Sequence, residues 1–497
     1  MENFDLCVIG GGPAGYAAAM RALDHGKRTV LVERGPIGGT GIYQGALMSK
    51  TLWEVAQRVS TANELMRDRG REPFHLGWDE VMRTMHEAAF ERKYLFACHM
   101  QLLAARGAER PGLFRHQRGT ARFTGPHTVA VGRGDATVQL HADRIIVATG
   151  STPRTLPGIA VDERSILTSD GIFGLDAQPR SIVIVGAGVI GCEFASIFAN
   201  LGGTRVHLID RAPRILPFED EDVSELVARN LERKGVVVHH SARLDGLGTV
   251  NGMVEYHLVH ASGRRERITV EKALLSVGRA PALARLDWRA TGVRIGPDGG
   301  MPVLAGTATS APHIHVVGDA TGSNMLVNLG EVQARHVVSS FWGGDDQPLR
   351  TDNASTIMFL DPEVASVGLN EQGCREKGIA HRVARIDYSC LARAIAMRRT
   401  KGFFKLIVTD DDAMRVLGMR AVGEHASSAI QAVALMMRLG TPVRELACLV
   451  HPHPSITEGV QECARMLMGT SIFKPEVFGD RMRCATWRPG MGDRAAA

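Results

Sequence analysis

At 497 residues the chain is too long for one compact core and implies about three folding units. Its 58 basic and 53 acidic residues are interspersed, with a formal net charge of +5, so no basic tract marks a nucleic-acid surface and a small-molecule enzyme is expected. No apolar run is long enough for a membrane span, no charged leader precedes the first strand, and eight scattered cysteines lack CxxC spacing; a cytoplasmic protein with reduced thiols is expected.

Leu6-Cys7-Val8-Ile9 is a short apolar run of the buried parallel-strand type. It ends at Gly10-Gly11-Gly12-Pro13-Ala14-Gly15, a helical stretch follows, and Thr29 to Glu33 makes a second strand. In this Gly10-x-Gly12-x-x-Gly15 pattern the first glycine turns the chain, the second admits a pyrophosphate to the backbone, and the third lets helix and strand pack closely. The helix N-terminus offers unpaired N–H groups to phosphates, and Glu33 stands where a carboxylate would hold ribose hydroxyls. Residues 51–110 carry helical periodicity, and 111–150 are β-rich up to Ala148-Thr149-Gly150.

The same unit recurs at Ser181 to Val185, followed by Gly186-Ala187-Gly188-Val189-Ile190-Gly191, a helix, and the strand Arg205 to Ile209 closed by Asp210. A carboxylate at Asp210 accepts from a ribose 2′-OH and repels a 2′-phosphate, which favours NADH; Arg211 and Arg214 follow at once and keep NADPH open. From about residue 346 the pattern changes to strands and two helices with no phosphate turn, as in an oligomerisation domain. The tail from Arg481 has no period and reads as loosely ordered.

Two dinucleotide sites on one chain imply a bound flavin and a diffusing nicotinamide. The ordered segments resemble the pyridine nucleotide-disulfide oxidoreductases, the family that includes dihydrolipoyl dehydrogenase, glutathione reductase, mercuric reductase and soluble transhydrogenase. The resemblance runs from Asp5 to about Phe478 and includes Gly278-Arg279-Ala280-Pro281, Val317-Gly318-Asp319 and Asp361-Pro362-Glu363. It implies an α/β fold: two Rossmann-like dinucleotide-binding domains plus a C-terminal α+β dimerisation domain. The expected segments are FAD-binding over 1–155, NAD(P)-binding over 156–280, a return to the FAD domain over 281–345, dimerisation over 346–478, and a tail over 479–497. FAD would be held by Gly10, Gly12, Gly15, Glu33, Gly39, Thr40, Thr149, Gly150, Gly318 and Asp319. NAD(P) would be held by Gly186, Gly188, Gly191, Asp210, Arg211 and Gly278, and a homodimer is implied.

The departure lies at Gly38-Gly39-Thr40-Gly41-Ile42-Tyr43-Gln44-Gly45-Ala46-Leu47-Met48-Ser49-Lys50. Family members carry a Cys-x-x-x-x-Cys pair in this stretch, and Gly41 and Ala46 stand in its place. Dithiol exchange needs an attacking and a resolving sulfur, so reduction of a disulfide is excluded here. Lys50 and Glu193 match the family's ion pair beside the reactive flavin nitrogen, against the plainer reading of a salt bridge between helices. His453 and Glu458, within His451-Pro452-His453-Pro454-Ser455-Ile456-Thr457-Glu458, match its acid/base loop, against a loop that only builds the dimer interface.

The expected activity is hydride transfer from NADH to FAD and then directly to a small-molecule electron acceptor such as a quinone. The alternatives are NAD(P) transhydrogenation and a flavin-binding sensor or scaffold without useful turnover. No metal site is expected. Tyr43 and Gln44 lie on a helix surface or line an acceptor pocket, Cys484 is a weak candidate for a tail thiol, and Arg393, Arg398 and Arg399 read as charges on a strand-like edge.

Overall fold

The computed structural model describes residues 2–106, 112–296, 302–344 and 348–495. It divides into two compact units, Met1–Gln178 with Leu274–Leu349, and Pro179–Ala273 with Arg350–Ala497. The chain therefore leaves the first unit after residue 178 and re-enters it at 274, against the expected 155 and 281.

In the first unit the strands Ile314–Val316, Ala136–Val147, Glu2–Ile9, Thr29–Glu33 and Phe114–Arg118 lie side by side and run parallel. A parallel sheet is covered on both faces, and the strand residues divide by parity between the two covers. Leu6, Val8, Leu31 and Ile146 pack with Ala18, Ala22, Ala334 and Val338 of the helices Pro13–Asp24 and Val327–Trp342. Cys7, Ile9, Val30, Val32, Ile145 and Val147 face the other way, onto Phe123 and Val129 of a hairpin and onto Trp288. Two long helices, Ala46–Arg67 and Trp78–Arg106, fill most of the stretch expected to be helical.

The second unit opens with the parallel strands Ser181–Val185, Arg205–Ile209 and Val237–His239. The helix Val189–Leu201 between the first two is buried along most of its length. An antiparallel sheet of Ala242–Val250, Met253–His260 and Arg265–Val270 follows. The C-terminal part is a seven-stranded sheet in the order Ser355–Met358, Val364–Gly368, Val416–Val422, Phe403–Thr409, His381–Asp387, Met482–Arg488 and Gly492–Ala495.

Three expectations are corrected here. The tail is not loosely ordered, because Met482–Arg488 pairs with His381–Asp387 and continues into Gly492–Ala495. The described residues after 354 form six α-helices and one 3-10 turn rather than two helices, since short helices between strands are too brief to show a period. Arg393 lies on one of them, Ala392–Ala396, and not on a strand-like edge.

A buried ion cluster ties the second dinucleotide unit to the C-terminal sheet within this compact unit. Lys405 is 1% exposed on a central strand, and its Nζ lies 3.0 Å from Asp220 Oδ2, 2.6 Å from Asp222 Oδ1 and 2.8 Å from Glu371 Oε1. Arg420 Nε donates to Glu219 Oε2 at 2.6 Å alongside. Burial alone would raise the Asp220 pKa, but Lys405 and the N–H groups of Gln372 and Glu371 bring it below the ordinary range. Removing Lys405 leaves the buried Asp220 and Glu371 carboxylates close together without the cation between them. Lys405→Ala is therefore expected to lower stability by about 3–5 kcal/mol, read from the denaturant midpoint of the flavin-loaded protein, and a loss under about 1 kcal/mol would show that water re-enters the cluster.

Candidate functional site

Parallel pairing in the first unit brings three loops to the carboxyl ends of adjacent strands, where open α/β sheets bind their ligands. Ile9 pairs with Val147, and Val147 with Val316, so Gly10, Ala148 and Val317 begin neighbouring loops. Gly10 turns at φ +110°, and a Cβ on it would lie 2.2 Å from the Ala148 carbonyl oxygen. A Cβ on Gly15 would lie 1.8 Å from the Gly10 oxygen, which is the close strand-helix approach the motif requires. Gly12 differs, since a Cβ there meets no protein atom within 4 Å and would intrude only on the space above the helix N-terminus. That open cradle, facing the first turn of Pro13–Asp24, fits a pyrophosphate.

Glu33 is fixed by the same turn. Its Oε2 accepts from Gly11 N and its Oε1 from Gly35 N, both at 2.6 Å, leaving further lone pairs for ribose hydroxyls. The Thr149 Oγ1 is buried with no hydrogen-bond partner among the described residues, an orphan that a bound cofactor would satisfy. Asp319 Oδ2 accepts from Ser151 Oγ at 2.7 Å, and Arg279 Nε donates to that same Ser151 Oγ at 2.8 Å. The residues therefore fit FAD: a phosphate cradle, a ribose carboxylate, and a second carboxylate held rigid by a charged network.

Residues 38–43 lie directly on this cradle. Gly38 N donates to Gly11 O at 2.8 Å, and a Cβ on Gly39 would be 3.3 Å from Gly12 Cα, so Gly38 and Gly39 pack on that turn. A Cβ on Gly41 would come within 2.6 Å of Pro13 Cγ, so any side chain there has to displace the proline ring. Tyr43 is half-buried at the end of the short helix Gly39–Tyr43, with its hydroxyl buried and unpartnered among the described residues. Gln44 is exposed. Lys50 is half-buried in the first turns of Ala46–Arg67.

The second unit repeats the arrangement. Gly186 turns at φ +102°, Gly188 precedes the helix Val189–Leu201 with open space at its Cβ, and Gly191 lies buried in that helix. Asp210 follows the neighbouring strand, its Oδ2 accepting from Ala187 N at 2.7 Å and its Oδ1 from Ala212 N at 2.8 Å. Arg211 is exposed. Arg214 Nη2 donates to the carbonyls of Pro217 and Glu219 and to Gln372 Oε1. Glu193 is buried in the same helix, and its Oε1 accepts from Phe359 N at 3.0 Å.

The structure brings His453 and Glu458 together. His453 Nδ1 lies 2.8 Å from Glu458 Oε1, while Glu458 Oε2 accepts from Ser455 N at 2.8 Å. Burial tends to raise the Glu458 pKa, but the Ser455 N–H and His453 hold it below the ordinary range, so it is a carboxylate at neutral pH. The His453 side chain is 73% exposed. His451 is turned inward, with Nδ1 on Thr457 Oγ1 at 2.9 Å.

Sequence reasoning missed the supports of Asp319. Ser151 directly follows Gly150, and Arg279 lies in the quoted Gly278 segment, so both could have been found there. Asp170, which takes Arg279 Nη1 at 3.1 Å, and Gln333, whose Oε1 accepts from Gly318 N at 2.8 Å, stand far away in sequence and carry no local signal.

Residues 4–337 match the sequence model described as pyridine nucleotide-disulphide oxidoreductase, and residues 354–464 match that of its dimerisation domain. The chain is 30% identical over 468 residues to dihydrolipoyl dehydrogenase 3 of Haloarcula marismortui, covering 93% of this chain and 96% of that protein. It is 31% identical over 466 residues to dihydrolipoyl dehydrogenase of Chlorobaculum tepidum, with 93% and 96% covered. Among solved structures it resembles LpdA from Mycobacterium tuberculosis, with a TM-score of 0.84, 26% identity, and 94% of this chain and all 100% of that chain covered. The Cu(II) complex of HOCl-induced flavoprotein disulfide reductase RclA from Escherichia coli gives a TM-score of 0.82 at 25% identity, over 94% and 100% of the two chains.

Because no rearrangement short of moving the Gly10 carbonyl accommodates a side chain at Gly15, Gly15→Ala is expected to purify with less than about a tenth of the wild-type flavin. The ratio of flavin to protein absorbance measures this, and full flavin content would show that the turn relaxes.

Proposed function

Because the chain belongs to the pyridine nucleotide-disulphide oxidoreductase family, whose members depend on FAD and use NAD(P)H, we propose that it oxidises NADH and passes the electrons directly to a small non-disulfide acceptor, a quinone being the leading candidate. The observation that carries this reading is Gly41 and Ala46 in the stretch where relatives hold two thiols. No cysteine lies between Cys7 and Cys98, and Cys7 is fully buried, its pKa pushed up to about 12 by burial. All eight cysteines are free thiols. The Pro13 ring against Gly41 adds a steric reason why the lost sulfur is not merely a point change.

Bound FAD would supply the two-electron relay between nicotinamide and acceptor. The chain's own contribution is binding, orientation and charge. Gly12 and Gly188 would open their helix N-termini to the two pyrophosphates, Glu33 would hold ribose hydroxyls, and Asp319 would contact the flavin ribityl chain. Asp210 would accept from the 2′-OH of NADH and disfavour a 2′-phosphate, and Lys50 would hold positive charge against the reduced, anionic flavin. Tyr43 presents a desolvated hydroxyl at the end of the helix that replaces the cysteine pair, suited to donate to a carbonyl oxygen of the acceptor.

His453 and Glu458 would serve the second copy of a homodimer, the Glu458 carboxylate orienting the imidazole and His453 exchanging protons with the acceptor through its exposed nitrogen. The dimerisation domain supports this assembly, as does Val450, 93% exposed immediately before that loop. No described helix is long and apolar enough to cross a membrane, and a cytoplasmic location remains part of the proposal. Transhydrogenation is the second reading, favoured by exposed Arg211 beside Asp210 and weakened by the engagement of Arg214.

Steady-state NADH oxidation with benzoquinone is expected to exceed that of free FAD at equal concentration, with no lipoamide or glutathione disulfide reduction. Turnover no better than free FAD would refute the acceptor assignment, while reduction of thio-NAD by NADPH would move it to transhydrogenation. Lys50→Met is expected to keep its flavin but lose on the order of 10²-fold in the rate of flavin bleaching by NADH under anaerobic stopped flow. An unchanged rate would leave Lys50 a structural partner only.

A further inference from the structure

Four strands of the second compact unit bring imidazoles and a carboxylate to one place that no part of the proposed electron path uses. His207 and His239 lie on adjacent parallel strands whose register pairs His207 with Val237 and Ile209 with His239, so both side chains leave the sheet on the same face. Strand alternation likewise puts Tyr256, Leu258 and His260 on one face of Met253–His260, and Glu266 pairs with Leu258. The turn from His260 to Arg264 closes with His260 N donating to Arg264 O at 2.9 Å, which holds the end of that strand beside Glu266.

The resulting group is His239, His260 and Glu266, one ligand atom from each lying within 4.8 Å of the others. His260 Nε2 is 2.9 Å from Glu266 Oε2. Around a tetrahedral ion the ligand atoms stand about 3.4 Å apart, so side-chain adjustments of about 1 Å would complete the geometry. His207 Nδ1 lies 3.1 Å from His239 Nε2, the kind of outer hydrogen bond that fixes the tautomer and orientation of a ligating imidazole. The Tyr256 ring packs on His207 with centroids 6.1 Å apart, and its hydroxyl is buried and unpartnered among the described residues. Burial keeps His207 and His239 below the ordinary imidazole range, in the neutral form that ligates.

The two outer ligands already converge on a cation. Arg264 Nη2 lies 3.0 Å from His260 Nε2 and 3.0 Å from Glu266 Oε2, while its side chain is 63% exposed. An exposed guanidinium is a weakly held occupant that can swing into water. We propose that His239, His260 and Glu266 bind one divalent transition-metal ion, Zn²⁺ or Cu²⁺, with His207 as the outer partner of His239 and Arg264 as the cation displaced. Two imidazoles and one carboxylate leave a fourth position open to water.

The test uses the full-length, flavin-loaded chain after dialysis against a chelator, with Zn²⁺ alone as titrant and a chromophoric chelator as competitor. One Zn²⁺ per chain is expected. His260→Ala and Glu266→Gln, both at partly exposed positions that leave the core intact, are expected to weaken it by about 10-fold or more. Arg264→Ala is expected to bind Zn²⁺ more tightly than the wild type, an effect that a merely structural cluster would not produce. Electron paramagnetic resonance with Cu²⁺ alone is expected to show coupling to two imidazole nitrogens, reduced to one in His260→Ala. Equal Zn²⁺ affinity across wild type, His260→Ala and Glu266→Gln would overturn the proposal, as would unchanged or weaker binding by Arg264→Ala. None of these readouts depends on NADH turnover, so the metal site and the acceptor assignment stand or fall separately.

Discussion

The pairing of Glu2–Ile9 with Ala136–Val147, closed by the approach of Gly10 to the Ala148 carbonyl, is the constraint on which the first site depends. That contact sets the angle at which the following helix leaves the sheet, and the helix N-terminus then aims its unpaired N–H groups over Gly12. Glu33 is held by Gly11 N of that turn and by Gly35 N of its own following loop, and Gly38 N bonds to the Gly11 carbonyl. Ordering a turn this tight costs conformational entropy, and the parallel strands on either side, buried on both faces, offset it.

Against that scaffold the replacement of two sulfurs by Gly41 and an alanine has consequences beyond lost chemistry. With no Cβ at position 41 the short helix can lie on Pro13, which brings it closer to the cradle than a cysteine would allow. Among the described residues the Tyr43 hydroxyl is buried there without a hydrogen-bond partner. The proposed direct discharge to a carbonyl-bearing acceptor follows from this exchange of a covalent device for a polar one.

The second compact unit has its own tie, the Lys405 cluster with Asp220, Asp222 and Glu371. Buried ion pairs contribute little net stability over apolar packing, but they penalise any arrangement that leaves the charges unmatched. Here the charges come from the start of the helix Glu221–Arg233 within the second nucleotide unit, from the short helix Glu371–Glu376 and from the central strand of the C-terminal sheet. Their mutual satisfaction fixes one relative placement of those elements within the unit. The Asp410 carboxylate plays a similar part at the tail, taking Arg382 Nε at 2.7 Å and Arg488 Nε at 2.5 Å and so pinning the terminal hairpin.

Local features are what the sequence alone determined. Glycine spacing, the acids Glu33 and Asp210, the apolar runs that become buried parallel strands, and the absence of thiols in residues 38–50 are properties of adjacent residues, set by backbone sterics and strand-helix geometry. The resemblance of residues 451–458 to the family's loop implied His453 and Glu458 as a pair, and the structure brings them into contact. Tertiary structure decided everything that depends on distant residues meeting: the Ser151–Arg279–Asp170 support of Asp319, the engagement of Arg214 by Gln372, the ordering of the tail as an added strand, and the convergence of His207, His239, His260 and Glu266. Each arises from strand register and sheet order, which a one-dimensional pattern does not specify, because hydrophobic alternation tells which face a side chain takes but not which strand lies opposite.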